Sequence, residues 1–117
     1  KAYRGAFNDI DAPTLAGYVI KEAIARSGVD PSEIDDCVMG AAMQQGSTGY
    51  NIGRLAGLAG GLPASVAGMS IDRQCASGMM AIATAAKQVI ADNMDKVRKP
   101  CAIVVRNGVS LARSVSI

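Results

Sequence analysis

"VAGMSIDRQCASGMMAIATAAKQVIA" (residues 66–91) decides how the chain is read, because a strand stops inside it and a helix starts. Val66 to Asp72 alternates small and apolar residues, the period of a β-strand. Cys75 to Ala91 carries Met79, Met80, Ile82, Ala83, Ala86, Val89 and Ile90 around most of a helical cylinder. A helix apolar nearly all round is expected to be buried inside a protein. The apolar run from Cys75 to Ala86 is too short to span a bilayer, and Lys87 interrupts it. Asp72 and Arg73 precede it, which does not fit a signal peptide there.

The segments before it complete a pattern. Lys1 to Phe7 reads as extended or loop. Asp11-Ala12-Pro13-Thr14 is a helix start, with Asp11 or Thr14 free to cap and Pro13 tolerated in the first turn. Leu15, Tyr18, Val19 and Ala23 follow helical spacing, Ile20 and Ile24 widen the stripe, and Gly28 stops it. A turn follows, with a short helical turn expected at Pro31. Asp36 to Ala42 reads as a strand around Cys37-Val38-Met39. The glycine-rich stretch 40–63 contains no G-x-G-x-x-G and no Walker sequence, which argues against a phosphate-cradling loop. It reads as a loop (Gln44 to Tyr50) and a small-residue helix (Asn51 to Ala59), ended by Gly60-Gly61 and blocked by Pro63. Ala102 to Val105 is a last short strand. Strand, helix, strand, helix, strand is the order of an α/β layer, so a mixed, mostly parallel sheet with helices packed on it is expected.

Length allows one domain at most, since the chain has 117 residues. Half are hydrophobic but only 3% are aromatic, so Ala, Gly, Val, Ile and Met must fill the core. A net charge of +2 is too small to argue for nucleic acid. Its distribution is uneven, with seven basic and ten acidic groups in residues 1–95 against five basic and none acidic in 96–117. The three cysteines, at 37, 75 and 101, match neither a disulfide framework nor a zinc knuckle. No metal site is expected, and a reducing cytosol is the expected setting. No histidine is present, which excludes a self-contained Cys–His or Ser–His pair.

Cys75 is either a small core thiol on a helix's first turn or a nucleophile. A helix starting near it aims unpaired N–H groups at the sulfur, and the helix dipole favours the thiolate, the form that attacks carbon. Ala76, Ser77 and Gly78 have little bulk, so a second group can approach closely. Gly78 within a helix costs about 1 kcal/mol relative to Ala, and close approach is the natural compensation.

Ile71-Asp72-Arg73-Gln74-Cys75-Ala76-Ser77-Gly78-Met79 resembles the nucleophile signature of the thiolases, the acetyl-CoA acyltransferase family. "YRGAFNDIDAPTLAGYVIKEAIARSGVDPSEID" (3–35) is similar to that family's opening loop and first helix, and "VMGAAMQQGSTGYNIGRLAGLAGGLPASVAGMSI" (38–71) to the elements that follow. The resemblance covers about residues 1–95. It implies a thiolase-like N-terminal domain part over residues 1–117, with 95–117 a divergent end. It implies Cys75 as the catalytic nucleophile, acyl-CoA and coenzyme A as substrates with no separate cofactor, and a homodimer or homotetramer that binds neither nucleic acid nor membrane. The strand Val66 to Asp72 resembles the one that pairs across the family's dimer.

The family also uses a Gly-His-Pro histidine and a second cysteine in a Cys-x-Gly segment, both from its C-terminal half. This chain has neither. Cys37 and Cys101 do not match that second cysteine and read as packing or surface thiols. Lys96, Arg98 and Lys99 read as a solvated basic turn, and Arg106-Asn107-Gly108 stands where the family has a glycine-rich turn with a glutamate. The chain is therefore expected to be a truncated or altered thiolase, inactive alone, with ordinary divergence of its end as the alternative. Two other readings stand beside it: a non-catalytic thiolase-derived fragment acting in assembly or binding, and a ketoacyl-synthase-like condensing enzyme.

Overall fold

Asp11 starts the first helix as its sequence suggests. Its carboxylate accepts the Thr14 N–H at 3.3 Å, and Gly28 closes the helix in the left-handed conformation at φ 68°. The computed structural model describes residues 4–91, 101–106 and 109–114. Helix α1 (Ala12–Ser27) leads through a 3-10 turn at Pro31–Glu33 into strand β1 (Asp36–Gly40). Helix α2 (Ile52–Ala59), strand β2 (Ala67–Ile71), helix α3 (Ser77–Ala91) and strands β3 (Cys101–Arg106) and β4 (Val109–Ser114) follow. The expected strands and helices are all present, β1 ending two residues early. Strand β4 is an addition to the expected set. The basic stretch Lys96, Arg98 and Lys99 lies outside the described residues.

The sheet runs β2-β1-β3-β4, with β1 parallel to both neighbours and β4 antiparallel to β3. The chain steps from β1 to β2 in one direction and from β2 to β3 in the other. Right-handed crossovers then require α2 and α3 to lie on opposite faces. They do. Cys37 and Met39 face α1 and α2 in one core with Ile20, Ile34, Ile52, Ala56, Leu62 and Val66. Val38 faces Ala81 and Ala85 of α3 in the other, beside Met69, Ile71 and Ile82. Both faces of β1 are covered, so Asp36 to Met39 is a run of buried residues with no polar alternation. Asp36 is among them, its Oδ2 accepting from Gln88 Nε2 of α3 at 2.8 Å.

Two expectations about helix faces are corrected. The buried residues of α1 are Gly17, Ile20 and Ala23, whereas Tyr18 is 65% exposed. The cause is Gly17. A Cβ there would stand 2.9 Å from Ala59 and Gly60, so the missing side chain lets α2 press onto this face and turns Leu15 and Tyr18 outward. Helix α3 buries only Ser77, Ala81 and Ala85, while Met79 is 65% and Ile90 74% exposed. The sheet covers one side of that helix. Its other apolar side has no cover among the described residues.

Strand β2 is an edge. Ala67 donates its N–H to the Asp35 carbonyl at 2.9 Å, and the Ile71 carbonyl accepts from Ala41 at 3.0 Å. Residues 67, 69 and 71 therefore turn their backbone groups to β1, and Gly68 and Ser70 turn theirs outward. Helix α2 occupies part of that edge. Asn51 Nδ2 donates to the Gly68 carbonyl at 2.8 Å, and the Arg54 guanidinium donates to the Val66 carbonyl and, at 2.8 Å, to that of Ala64. The outward N–H groups of Gly68 and Ser70 have no partner among the described residues.

Candidate active site

Gly40 and Ile71 are paired at the carboxyl ends of β1 and β2. In open α/β sheets this end, where successive crossovers leave to opposite faces, is where ligands bind. Cys75 sits here. It lies in a 3-10 turn, Gln74–Ala76, that runs directly into α3 two residues later. The sulfur is neither sealed in the interior nor within the body of the α-helix, since Cys75 is an exposed free cysteine.

The turn is fixed by its neighbours. Asp72 Oδ1 accepts the Gln74 N–H at 2.9 Å. Ser77 Oγ accepts the Arg73 N–H at 2.8 Å and donates to the Gln74 carbonyl at 2.6 Å. Ala76 donates its N–H to the Arg73 carbonyl at 3.0 Å, and Ser77 donates its own to Gln74. Gln74 stands at φ 49°, in the left-handed region that residues with a Cβ rarely enter. One backbone donor of the turn is left over. The Cys75 N–H, adjacent to the sulfur, has no hydrogen-bond partner among the described residues. Arg73 lays its guanidinium on the Met80 sulfur at 3.2 Å, which keeps a cation beside the turn.

Gly40 seats this turn against the sheet. A Cβ on Gly40 would fall 2.5 Å from the Ser77 carbonyl group and 2.6 Å from the Gly78 nitrogen. That close approach accounts for glycine at position 40. On the opposite face, Gly40 also borders an open groove of about 370 Å³ lined by Leu15, Val19, Ala41, Met43 and Ile52. Cys75 is not part of its lining.

The other sequence candidates lie elsewhere. Cys37 is 1% exposed within the α1–α2 core. Burial, with the neighbouring Asp36 second, pushes its thiol up from 9.0 to about 12, as fits a packing residue. Cys101 begins β3. Among the described residues no group of three His, Cys, Asp or Glu is arranged to hold a metal, and no helix is long and apolar enough to cross a membrane. The sequence reading missed Asp72, Ser77 and Gly40 as parts of the site. Asp72 had a local signal, because Asp accepting the N–H two residues on is a common turn device.

Comparison with known proteins agrees with this architecture. The family model described as "Thiolase, N-terminal domain" matches residues 1–98. A "3-ketoacyl-CoA thiolase" of Acinetobacter baumannii is 39% identical over 95 residues, 81% of this chain and 24% of that protein. An "Acetyl-CoA acetyltransferase" of Cupriavidus necator is 38% identical over 93 residues, 80% of this chain and 23% of that protein. The chain thus spans about a quarter of the length of the curated relatives it matches. With most of its residues matched and a two-faced α/β sheet beneath them, the chain belongs to the thiolase family.

Proposed function

We infer that Cys75 is the nucleophile of a thiolase-type acyl transfer between 3-ketoacyl-CoA and coenzyme A. The observation that carries this reading is the exposed Cys75, whose N–H has no partner among the described residues, at the carboxyl ends of β1 and β2. The sulfur attacks the C3 carbonyl of the substrate. The C2–C3 bond then breaks, its electron pair stays on C2, and C2 takes a proton and departs as acetyl-CoA. The acyl group is left on Cys75 as a thioester. The thiol of a second coenzyme A attacks that thioester, and Cys75 leaves as thiolate, so the two halves run in ping-pong order. During each attack the carbonyl oxygen becomes negative, and a free backbone N–H beside the sulfur is the type of group that stabilises it. Coenzyme A enters as substrate, and no separate cofactor takes part.

Two proton transfers of steady turnover lack a histidine or an accessible second cysteine among the described residues. Solvent can take the Cys75 proton for a single slow acetylation, but steady turnover needs a base for it and an acid for C2, and the sequence has no histidine and Cys37 is sealed in the core. Groups from outside these residues must serve both steps. Incubated with acetyl-CoA, the chain is expected to carry an acetyl adduct on the Cys75 peptide and none on Cys37, as read by mass spectrometry. Cys75→Ser removes the adduct, and acetoacetyl-CoA is not turned over. Failure to acetylate Cys75, or steady thiolysis by the chain alone, overturns the reading.

The partner is a second copy, paired through the β2 edge into a homodimer or a homotetramer built from it. The outward N–H groups of Gly68 and Ser70 support this, since an edge strand with open donors pairs readily with another strand. Amide hydrogen exchange at Gly68 and Ser70 is expected to slow by tenfold or more as the chain is concentrated, while sedimentation shows the dimer. Exchange at both amides that is independent of concentration sinks the β2 interface.

A further inference from the structure

Ser77 is 3% exposed, and its hydroxyl makes two hydrogen bonds that bracket Arg73 and Gln74. It accepts the N–H of Arg73 at 2.8 Å and donates to the carbonyl of Gln74 at 2.6 Å. Gln74 between them is held at φ 49°. That conformation is unfavourable for a residue with a Cβ and persists only where the surroundings over-determine it. The Gln74 side chain itself is exposed and offers no packing to hold it. The restraint therefore lies in the backbone bonds, from Ser77 on one side and Asp72 on the other. Were Gln74 to relax, the peptide between Gln74 and Cys75 would rotate, and the Cys75 N–H and sulfur would no longer be presented together.

We propose that Ser77 is a positioning residue: its buried hydroxyl locks Gln74 in the left-handed conformation and so holds the Cys75 sulfur and N–H side by side at the surface. This rests on the reading of Cys75 as the acyl acceptor, although the conformational claim is tested without acyl transfer. The measurement is the rate at which iodoacetamide alkylates Cys75 in the folded chain, followed by mass spectrometry. Ser77→Ala is expected to slow it about tenfold. Gln74→Val, at an exposed position and with Ser77 intact, is expected to slow it equally while the chain stays folded, because a β-branched residue resists the left-handed region. Adding Gln74→Gly to Ser77→Ala is expected to restore most of the rate, since glycine enters that region freely. A hydroxyl that merely packs would not be rescued from two bonds away. Wild-type rates in both Ser77→Ala and Gln74→Val, or a Gln74→Gly/Ser77→Ala chain as slow as Ser77→Ala, overturn the proposal. Failure of the acyl-acceptor reading shows separately, as wild-type protein that takes no acetyl group on Cys75.

Discussion

Gly40→Ala is expected to lower the melting temperature by on the order of 15 °C and to slow Cys75 alkylation at the same time. The new methyl carbon would lie 2.5 Å from the Ser77 carbonyl carbon and oxygen and 2.6 Å from the Gly78 nitrogen. All three are backbone atoms, so no side chain can swing aside. Overpacking a core by one carbon costs about 1–3 kcal/mol when rotamers can adjust. Here β1 and α3 must separate as units, which puts the cost at or above about 3 kcal/mol, and each kcal/mol shifts the melting temperature of a small domain by about 4–8 °C. Separation also moves the turn that carries Cys75, because that turn runs into the displaced end of α3 without a break. Gly57→Ala is the control. Its new carbon meets the tip of Leu62 at 3.2 Å, a side-chain atom that can yield. Alanine in a helix interior also gains about 1 kcal/mol over glycine, so Gly57→Ala should be close to neutral. Thermal melts of the two variants decide the matter. A Gly40→Ala chain no less stable than Gly57→Ala would mean that β1 does not seat the Cys75 turn.

Much of this architecture was legible because its signals are local. Asp11, Pro13 and Gly28 bound α1 by chemistry confined to a few residues, and Asn51 and Gly60 do the same for α2. The order of elements implied a mostly parallel sheet with helices packed on it, and the strand order β2-β1-β3 then put α2 and α3 on opposite faces. What local pattern could not give was which face of a helix meets which neighbour. Leu15 and Tyr18 fit a helical stripe as well as Gly17 and Ile20, and only the approach of Gly60 to Gly17 selects between them. The exposure of Met79 and Ile90 has the same origin, since an apolar helix does not reveal how many of its sides this chain covers. Strand β4 was missed although Asn-Gly, the pair most suited to a two-residue hairpin, lies between it and β3 in the sequence. The candidate site shows the same division. Cys75 was proposed from its flanking residues. Gly40 was not, because its role depends on a contact with residues 77 and 78 that no spacing along the chain encodes.

Alkali should weaken the fold through Cys37, a thiol distant from the proposed chemistry. In the folded chain its ionisation is pushed up from 9.0 to about 12, first by burial and then by Asp36. Unfolding exposes the thiol and returns it to its ordinary range. Below pH 9 the thiol is neutral in both states and contributes no pH dependence. Between pH 9 and 12 the unfolded chain sheds the proton and the folded chain keeps it, so rising pH draws the equilibrium toward unfolding. The slope for one such group is about 1.4 kcal/mol per pH unit. By pH 11 that amounts to about 3 kcal/mol, a large share of the roughly 5–15 kcal/mol that holds a typical domain together. Alkali acts on the rest of the chain as well, so the comparison must be with Cys37→Ala. That variant begins less stable because of the cavity it leaves, but it lacks this proton. Denaturant melts from pH 8 to 11 should therefore show two curves that converge, the wild type losing its advantage as pH rises. Curves that stay parallel would mean that the Cys37 thiol ionises in the fold as readily as in the unfolded chain, and that the α1–α2 core does not exclude water from it.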